Sequence, residues 1–404
     1  MDISLILLDI SIFFGLYFQI FLLVTYFGVD EPEEKKPMEL PSVTIVVPCF
    51  NEAKTVLKTV HSLLALNYPK EKLSILVVDD GSSDNTYDVA KTVVHSQVNV
   101  VRQKNGGKHT ALNYGIGHCS SDVIGCLDAD SIVDSEALIR MIPYFNDQKV
   151  MAVTPAMRVH EPKTVLQKMQ HAEYNLGIFA KRVFSRMNAI NVTPGPFSLF
   201  RKKVFEEIGM FRPAHNTEDM EIAFRIQSHR YKIANCHRAY VYTISPNTLK
   251  KLYRQRTRWS YGFIKNAIDY KYIFFNKEYG DMGMLTLPFS VIGIFFCFYV
   301  LGKVVYDVGQ SIVLKIEKII TVGFHVPHFS FDFFFVNTSI TAILALILIS
   351  ITISILFLGK KIAQNSIRPS MDIFWYVVLY GFVAPIWLGK AVYNVALSKK
   401  TPWR

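Results

Sequence analysis

The sequence predicts an α/β domain with a mostly parallel, Rossmann-like sheet, inserted between membrane-spanning helices. Three observations carry that prediction. Short β-branched runs alternate with helical patterns across residues 43–127, as right-handed crossovers in a doubly wound sheet require. Four long apolar stretches, at 3–27, 284–304, 333–358 and 372–397, flank a block of ordinary charge density. Each reaches the roughly 20 residues a helix needs to cross a bilayer core. Acidic and glycine-rich clusters fall just past the ends of the predicted strands, where ligands bind in such sheets.

Taken in order, 43–47 (VTIVV) before Pro48 reads as a buried parallel strand, followed by a helix near 53–65. A second strand at 74–78 (SILVV) leads into the acidic turn 79–86 and a helix over 86–95. A third strand covers 98–102, a helix 108–118, and a fourth strand 123–127 (VIGCL). The block 28–281 is long enough for one large domain. Helical stretches about 161–187 and 247–272 are expected on the membrane surface, and 282–404 forms the C-terminal membrane domain. Residues 1–27 lack a basic n-region and a small-residue cleavage site, so they read as an uncleaved anchor rather than a secretory signal. Asp9 within the anchor is expensive in lipid and is expected near the interface or against another helix.

Half of the 404 residues are hydrophobic, which is unusual for a soluble chain of this length. The net charge of +11 suits a domain held against anionic lipid that binds a diphosphate. No basic run with interleaved aromatics occurs, which argues against nucleic acid. Five cysteines without CxxC spacing argue against both a disulfide framework and a zinc site, and favour a reducing compartment. Lys360, Lys361 and Arg368 place the loop between the last two stretches in the cytoplasm, and four spans then place the central block there as well. The tail residues Lys399, Lys400 and Arg404 point the other way, and a further membrane-touching element within 305–332 would change the count.

Asp128-Ala129-Asp130 follows the fourth strand. Alternation along an extended chain would put both carboxylates on one side, able to hold one divalent cation. A helix cap is the competing reading. Asp79 and Asp80 end the second strand, where a carboxylate can accept a base N–H; an ordinary acidic turn is the alternative. Lys108 follows two glycines at a helix head, which makes either a phosphate corner or a capped surface helix. Thr217-Glu218-Asp219 opens a helix as a cap or as a general base. Gln255, Arg258 and Trp259 lie on a basic-aromatic helix, where an Arg can clamp a diphosphate and a Trp can stack on a sugar.

Together PCFNE (48–52), VVDDGSSD (77–84), NGGKHTALN (105–113), DAD (128–130), TPGPFSLFR (193–201), TED (217–219) and QRTRW (255–259) resemble the processive, membrane-integrated family-2 glycosyltransferases. That family includes cellulose, chitin, hyaluronan, poly-N-acetylglucosamine and chitooligosaccharide synthases. The resemblance covers about 41–270 and implies a GT-A fold. It also implies roles. Asp79 would bind the nucleobase, and Asp80, Lys108, Pro48, Asn51 and Glu52 would help hold the nucleotide. Asp128 would carry the diphosphate and, with Asp130, a Mg²⁺ or Mn²⁺ ion. Asp219 would be the catalytic base. Gly195, Pro196, Glu218, Gln255, Arg258 and Trp259 would serve the acceptor sugar and the diphosphate.

The expected reaction is inverting, metal-dependent transfer from a nucleotide-sugar, UDP-N-acetylglucosamine favoured, to a growing β-linked glycan at the cell membrane. The alternative is single addition from UDP-glucose or GDP-mannose to a lipid acceptor, since QxxRW also occurs in such members. Membrane lipids are expected partners, and further subunits or an oligomer remain open. A scaffold or transporter with merely acidic surface turns does not account for seven motifs in this order.

Overall fold

The structure, a computed structural model, describes residues 3–28, 39–324 and 339–399. The start of the central block (29–38), the region 325–338 with the first residues of the third apolar stretch, and Lys400 and Arg404 lie outside those residues. The strands are β1 (Val43–Cys49), β2 (Leu73–Asp79), β3 (Val98–Arg102), β4 (Val123–Cys126), β5 (Ser131–Val133), β6 (Val150–Val159), β7 (Ser198–Arg201) and β8 (Lys232–Thr243). The helices run from α1 (Ile3–Gly28) through α2 (Val56–Leu64), α3 (Thr86–Lys91), α4 (Lys108–Gly117) and α5 (Ala137–Met141) to α6 (Val165–Arg186). They continue with α7 (Lys202–Ile208), α8 (Glu218–Ser228), α9 (Leu249–Asp269), α10 (Leu287–Val322), α11 (Ile340–Gln364) and α12 (Met371–Ala396). The chain divides into two units: Thr25–Pro288 with Ile355–Arg404, and Met1–Val24 with Phe289–Ser354.

The first unit holds the sheet, eight strands in the order β3-β2-β1-β4-β7-β6-β8-β5. β1 to β4 are parallel, as the strand–helix alternation predicts. β7 inserts antiparallel between β4 and β6, and β5 returns antiparallel along β8. Alternation along β1 sends Val43, Ile45 and Val47 to one face, against Val56, Val60 and Leu63 of α2. Val46 faces the other side, against Ala111, Leu112 and Ile116 of α4. β1 runs through Pro48 rather than ending at it. Its register with β4 stops at Val46↔Cys126, so the amide Pro48 lacks points past the end of β4, where no ladder bond is lost.

α6 and α9 cover the predicted interfacial stretches, and both pack on α12: Met169, Leu252 and Trp387 share one buried cluster. The α11–α12 loop docks on the same helix, where His171 of α6 bridges Gln364 (2.9 Å) and Asp372 (2.8 Å). Lys360 turns inward and donates to the Arg368 carbonyl at 2.8 Å.

In the second unit Phe14, Tyr17 and Phe18 of α1 stack around Phe289 of α10. Asp9 accepts a hydrogen bond from Thr341 Oγ1 of α11 at 2.7 Å, so this costly carboxylate faces a helix partner. Among the described residues four helices, α1, α10, α11 and α12, are long and apolar enough to cross a membrane. α10 is much longer than the predicted 284–304. No proline interrupts 305–322, and its Lys303–Asp307 pair (2.5 Å) sits at the helical i,i+4 spacing.

Candidate active site

One end of the candidate site is built from the turns that follow β1, β2 and β4. Asp79, the last residue of β2, is fully buried and pairs with Arg102 Nε at 3.0 Å, its register partner at the end of β3. Asn51, in the left-handed region at φ 59°, accepts from the Ser83 amide at 2.9 Å and from the Asp84 amide at 3.3 Å. Its own amide donates to Ser82 Oγ at 2.9 Å, so Asn51 staples the PCFNE turn to the acidic turn. The Glu52 amide donates to Thr86 Oγ1 at 2.8 Å, and its carbonyl receives the first amides of α2. Pro48 holds its register against Val78 beside this pair of turns.

Asp80 does not face open space. It accepts from the amides of Gly106 (3.0 Å) and Gly107 (2.9 Å) and from Gln103 Nε2 (2.7 Å). That anchors the glycine turn and sets Lys108 as the first residue of α4. Lys108 Nζ then lies 2.6 Å from Asp128 and 3.2 Å from Glu218. Burial disfavours its charge, but the carboxylates of Asp128, Glu218 and Asp219 hold its pKa above the usual lysine value. Lys108 therefore ties the end of β4 to the head of α8.

Asp128 and Asp130 share a site by a turn and not by strand alternation: β4 ends at Cys126, and the Ser131 amide closes back on the Asp128 carbonyl at 3.1 Å. Burial, with the carboxylates of Asp128 and Glu52, pushes the Asp130 carboxyl up to about 6. The β7 segment reaches this corner because β7 lies antiparallel on β4. Gly195 is packed so closely there that a Cβ would stand 2.5 Å from Lys108 Nζ and 2.6 Å from an Asp128 carboxylate oxygen. Pro196 follows it, buried, and the Pro194 carbonyl accepts from Ser198 Oγ at 2.6 Å.

The other end of the candidate site is set by α8 and α9. Asp219 lies in the first turn of α8, and its carbonyl receives the Thr193 amide at 3.0 Å. Its carboxylate accepts from the Met220 amide at 3.0 Å. Burial first, then the adjacent Glu218 and Asp128, push its carboxyl up to about 6 against the pull of Lys108 and Arg258. Arg258 Nη1 also donates to the Asn216 carbonyl at 2.8 Å, tying α9 to the loop before Thr217. Gln255 Oε1 is buried with no hydrogen-bond partner among the described residues. Trp259 lies against Arg256, whose guanidinium is 4.3 Å from the ring centroid.

Several residues escaped the sequence reading. Arg256, one of the unassigned positions of QRTRW, pairs with Glu173 of α6 at 2.8 Å and so fixes the plane on which Trp259 rests. Gly262 is required because a Cβ would meet Thr217 Oγ1 at 2.2 Å. Lys181 of α6 is held down to about 8 by burial, with Asp219 the opposing influence. Only the Arg102 pairing had a readable signal, because parallel register places it beside Asp79.

The chain is similar to known proteins in sequence and in fold. The model of the glycosyltransferase like family 2 matches residues 41–262, more than half of the chain. A poly-beta-1,6-N-acetyl-D-glucosamine synthase of Staphylococcus aureus (strain COL) is 36% identical over 228 residues, 55% of each chain. The synthase of that name from Staphylococcus epidermidis is 33% identical over 268 residues, 63% of this chain and 64% of its own. The chain thus spans about half the length of the S. aureus relative. The solved mannosyltransferase PcManGT from Pyrobaculum calidifontis, in complex with GDP-Man and Mn²⁺, superposes with a TM-score of 0.68, covering 98% of each chain at 15% identity. That likeness is one of fold, a GT-A domain together with its flanking apolar helices, and the matched residues carry the family: the chain belongs to glycosyltransferase family 2.

Proposed function

We propose that the chain transfers N-acetylglucosamine from UDP-N-acetylglucosamine to a growing β-linked glycan, with inversion, on the cytoplasmic face of a membrane. One observation carries the mechanism: a buried carboxyl with its pKa raised to about 6, Asp219, shares a charge cluster with Lys108, Asp128 and Arg258. A base and the leaving-group end of a donor need that proximity. The choice of sugar rests on what the staphylococcal relatives are named for. The side of the membrane rests on Lys360, Lys361 and Arg368, whose loop packs on the catalytic unit.

The chain's own groups divide the work. Asp79 in its pair with Arg102 receives the base, and the turns stapled by Asn51 and Asp80 shape the path of the ribose and diphosphate. Asp219 takes the proton of the acceptor hydroxyl as that oxygen attacks the anomeric carbon. The bond to the diphosphate oxygen breaks on the opposite face, so configuration inverts. Arg258 and Lys108 receive the negative charge that leaves. Gln255, with its orphaned carbonyl, and Trp259 are placed to hold the acceptor ring.

The residues fit a divalent cation. Among the described residues no group of three or more His, Cys, Asp or Glu side chains forms a closed metal cage. Mg²⁺ and Mn²⁺ sites in transferases use one or two carboxylates and complete their shell with phosphate oxygens. Asp128 and the Asp130 carboxyl, raised by its carboxylate neighbours, are such a donor pair. Bound there, the ion would neutralise charge on the diphosphate.

The test is product analysis after incubating membranes with labelled UDP- and GDP-sugars, with and without Mn²⁺. A ladder of β-linked oligomers from UDP-N-acetylglucosamine, dependent on metal, is expected. A single glycolipid product, a retained anomer or a preference for GDP-mannose would overturn the assignment.

A further inference from the structure

Glu173 of α6 joins three helices of the first unit. Arg256 of α9 pairs with its Oε2 at 2.8 Å, and the Tyr380 hydroxyl of α12 donates to its Oε1 at 3.3 Å. Each carboxylate oxygen thus has a partner on a different helix. α12 is long and apolar enough to cross a membrane, and a hydroxyl on such a helix is costly unless it is bonded. Neither Glu173 nor Tyr380 belongs to the seven motifs that carry the family resemblance.

The surroundings fix each member of this chain of contacts. Tyr380 is stacked on Tyr376 at 4.5 Å and lies edge-on to Trp387 at 5.9 Å, both on its own helix. Trp387 is buried with Met169 of α6 and Leu252 of α9, so the packing of α12 on both helices sets where the hydroxyl points. Arg256 is only 5% exposed. Burial disfavours its charge, but Glu173, then Tyr174 and Tyr380, hold its pKa above the usual arginine value. One arm of its fork is committed to Glu173, and the guanidinium stands 4.3 Å from the Trp259 ring centroid. A cation held over an indole face favours one setting of a side chain that could otherwise turn about two torsions.

We propose that Tyr380 and Glu173 are positioning residues that set Trp259 for the acceptor sugar through Arg256. A helix of membrane-spanning character thereby takes part in acceptor binding. The inference rests on the acceptor role given to Trp259 above.

The full chain, purified in detergent, is assayed with UDP-N-acetylglucosamine and a β-linked N-acetylglucosamine oligomer of defined length, each varied in turn. Y380F should raise the acceptor KM about threefold, part of what a hydrogen bond to a charged group contributes. E173Q should raise it about tenfold, the loss of a charge-assisted pair. Donor KM and kcat should stay within about twofold in both, since only acceptor binding is disturbed. The double variant should do no worse than E173Q, because Tyr380 acts through that carboxylate. Tyr393→Phe, on the same helix but with its hydroxyl meeting Lys399, should change nothing. Iodide quenching of Trp259, isolated by subtracting the signal of W259F, needs no substrate, and both relay variants should increase it. Y380F keeps the test valid should E173Q leave Arg256 uncompensated and fail to fold. Unchanged acceptor KM and quenching in both variants, beside a defective W259F, would overturn the relay alone. A kcat or donor KM defect as large as the acceptor effect would also overturn it, leaving Glu173 a structural tie between helices. An unchanged acceptor KM in W259F would overturn the acceptor role of Trp259 and the relay with it.

Discussion

In the proposed donor half of the catalytic unit, Asp80 and Asn51 are held mostly by main-chain amides; in the proposed acceptor half, side chains from distant elements do more of the fixing. Asp80 is held by the Gly106 and Gly107 amides, and Asn51 by the turn at Ser83 and Asp84. Asp219 depends on Thr193, Lys108 and Arg258, and Trp259 on an Arg256–Glu173 pair that joins α9 to α6. A main-chain turn is specified within a few residues of sequence, whereas a side-chain pair needs two helices already packed. The donor half should therefore tolerate local change and lose binding gradually. The acceptor half should lose rate abruptly.

The largest effect that separates the halves is expected at Asp219. Asp219→Asn keeps the size and the contact with the Met220 amide but removes the proposed base, so transfer should fall about 10²–10⁴-fold. UDP-sugar affinity by calorimetry should stay within a factor of about 3, well under 1 kcal/mol. Loss of donor binding along with rate would reduce Asp219 to a structural member of the Lys108 cluster and erase the contrast.

The same contrast explains what could be read in the sequence. The four parallel strands and their acidic turns were legible because short continuous β-branched runs and Asp-Gly punctuation are local signals. Strands β5 to β8 were not. β6 carries Pro155 and β8 carries Asn235, His237 and Arg238 within their runs, and their pairing is set by tertiary register. Asp128 and Asp130 were expected on one side of an extended strand, but β4 ends at Cys126 and a turn carries both. Arg256 and Gly262 carried no readable signal, because the reason for each lies on a distant segment, at Glu173 or Thr217.

The next effect is pH. A base must be ionised to act, and Asp219 is ionised only above about 6. At saturating donor, kcat should level off above that pH and fall about tenfold for each unit below it. Asp130 is raised to about 6 as well, so protons should compete with the cation. Mn²⁺ affinity measured with UDP should weaken below pH 6, and Asp130→Asn should remove that dependence. A kcat profile flat from pH 5 to 8 would take the base role from Asp219.

Two glycine substitutions then compare the halves directly. Gly262→Ala drives a methyl into Thr217 Oγ1, whose Asn266 contact at 3.0 Å secures the start of α8. Overpacking of this kind costs about 1–3 kcal/mol, and misplacing the Asp219 turn should lower kcat about 10²-fold with little change in donor KM. Gly195→Ala instead meets Lys108 Nζ, the end of a flexible chain, beside the Asp128 carboxylate. Its effect should appear in donor KM, about tenfold or 1.4 kcal/mol. The reverse pattern in kinetics of the two variants would show that the halves are not separable.

The smallest effect is expected at the far end of the donor half. Asp79 is fully buried, while Arg102 is nearly half exposed. Arg102→Lys keeps a cation at the end of β3 but gives up the fork that also donates to the Ser82 carbonyl at 2.8 Å. Water around the half-exposed partner softens the loss to under about 1 kcal/mol, so KM for the donor should rise only a few-fold. Because the pair is proposed to meet the base and not the sugar, kcat should not move, and discrimination between UDP- and GDP-sugars should weaken instead. Should kcat fall as far as in Gly262→Ala, the Asp79 pair would be holding the whole sheet edge in place, and the donor half would be no more local than the acceptor half.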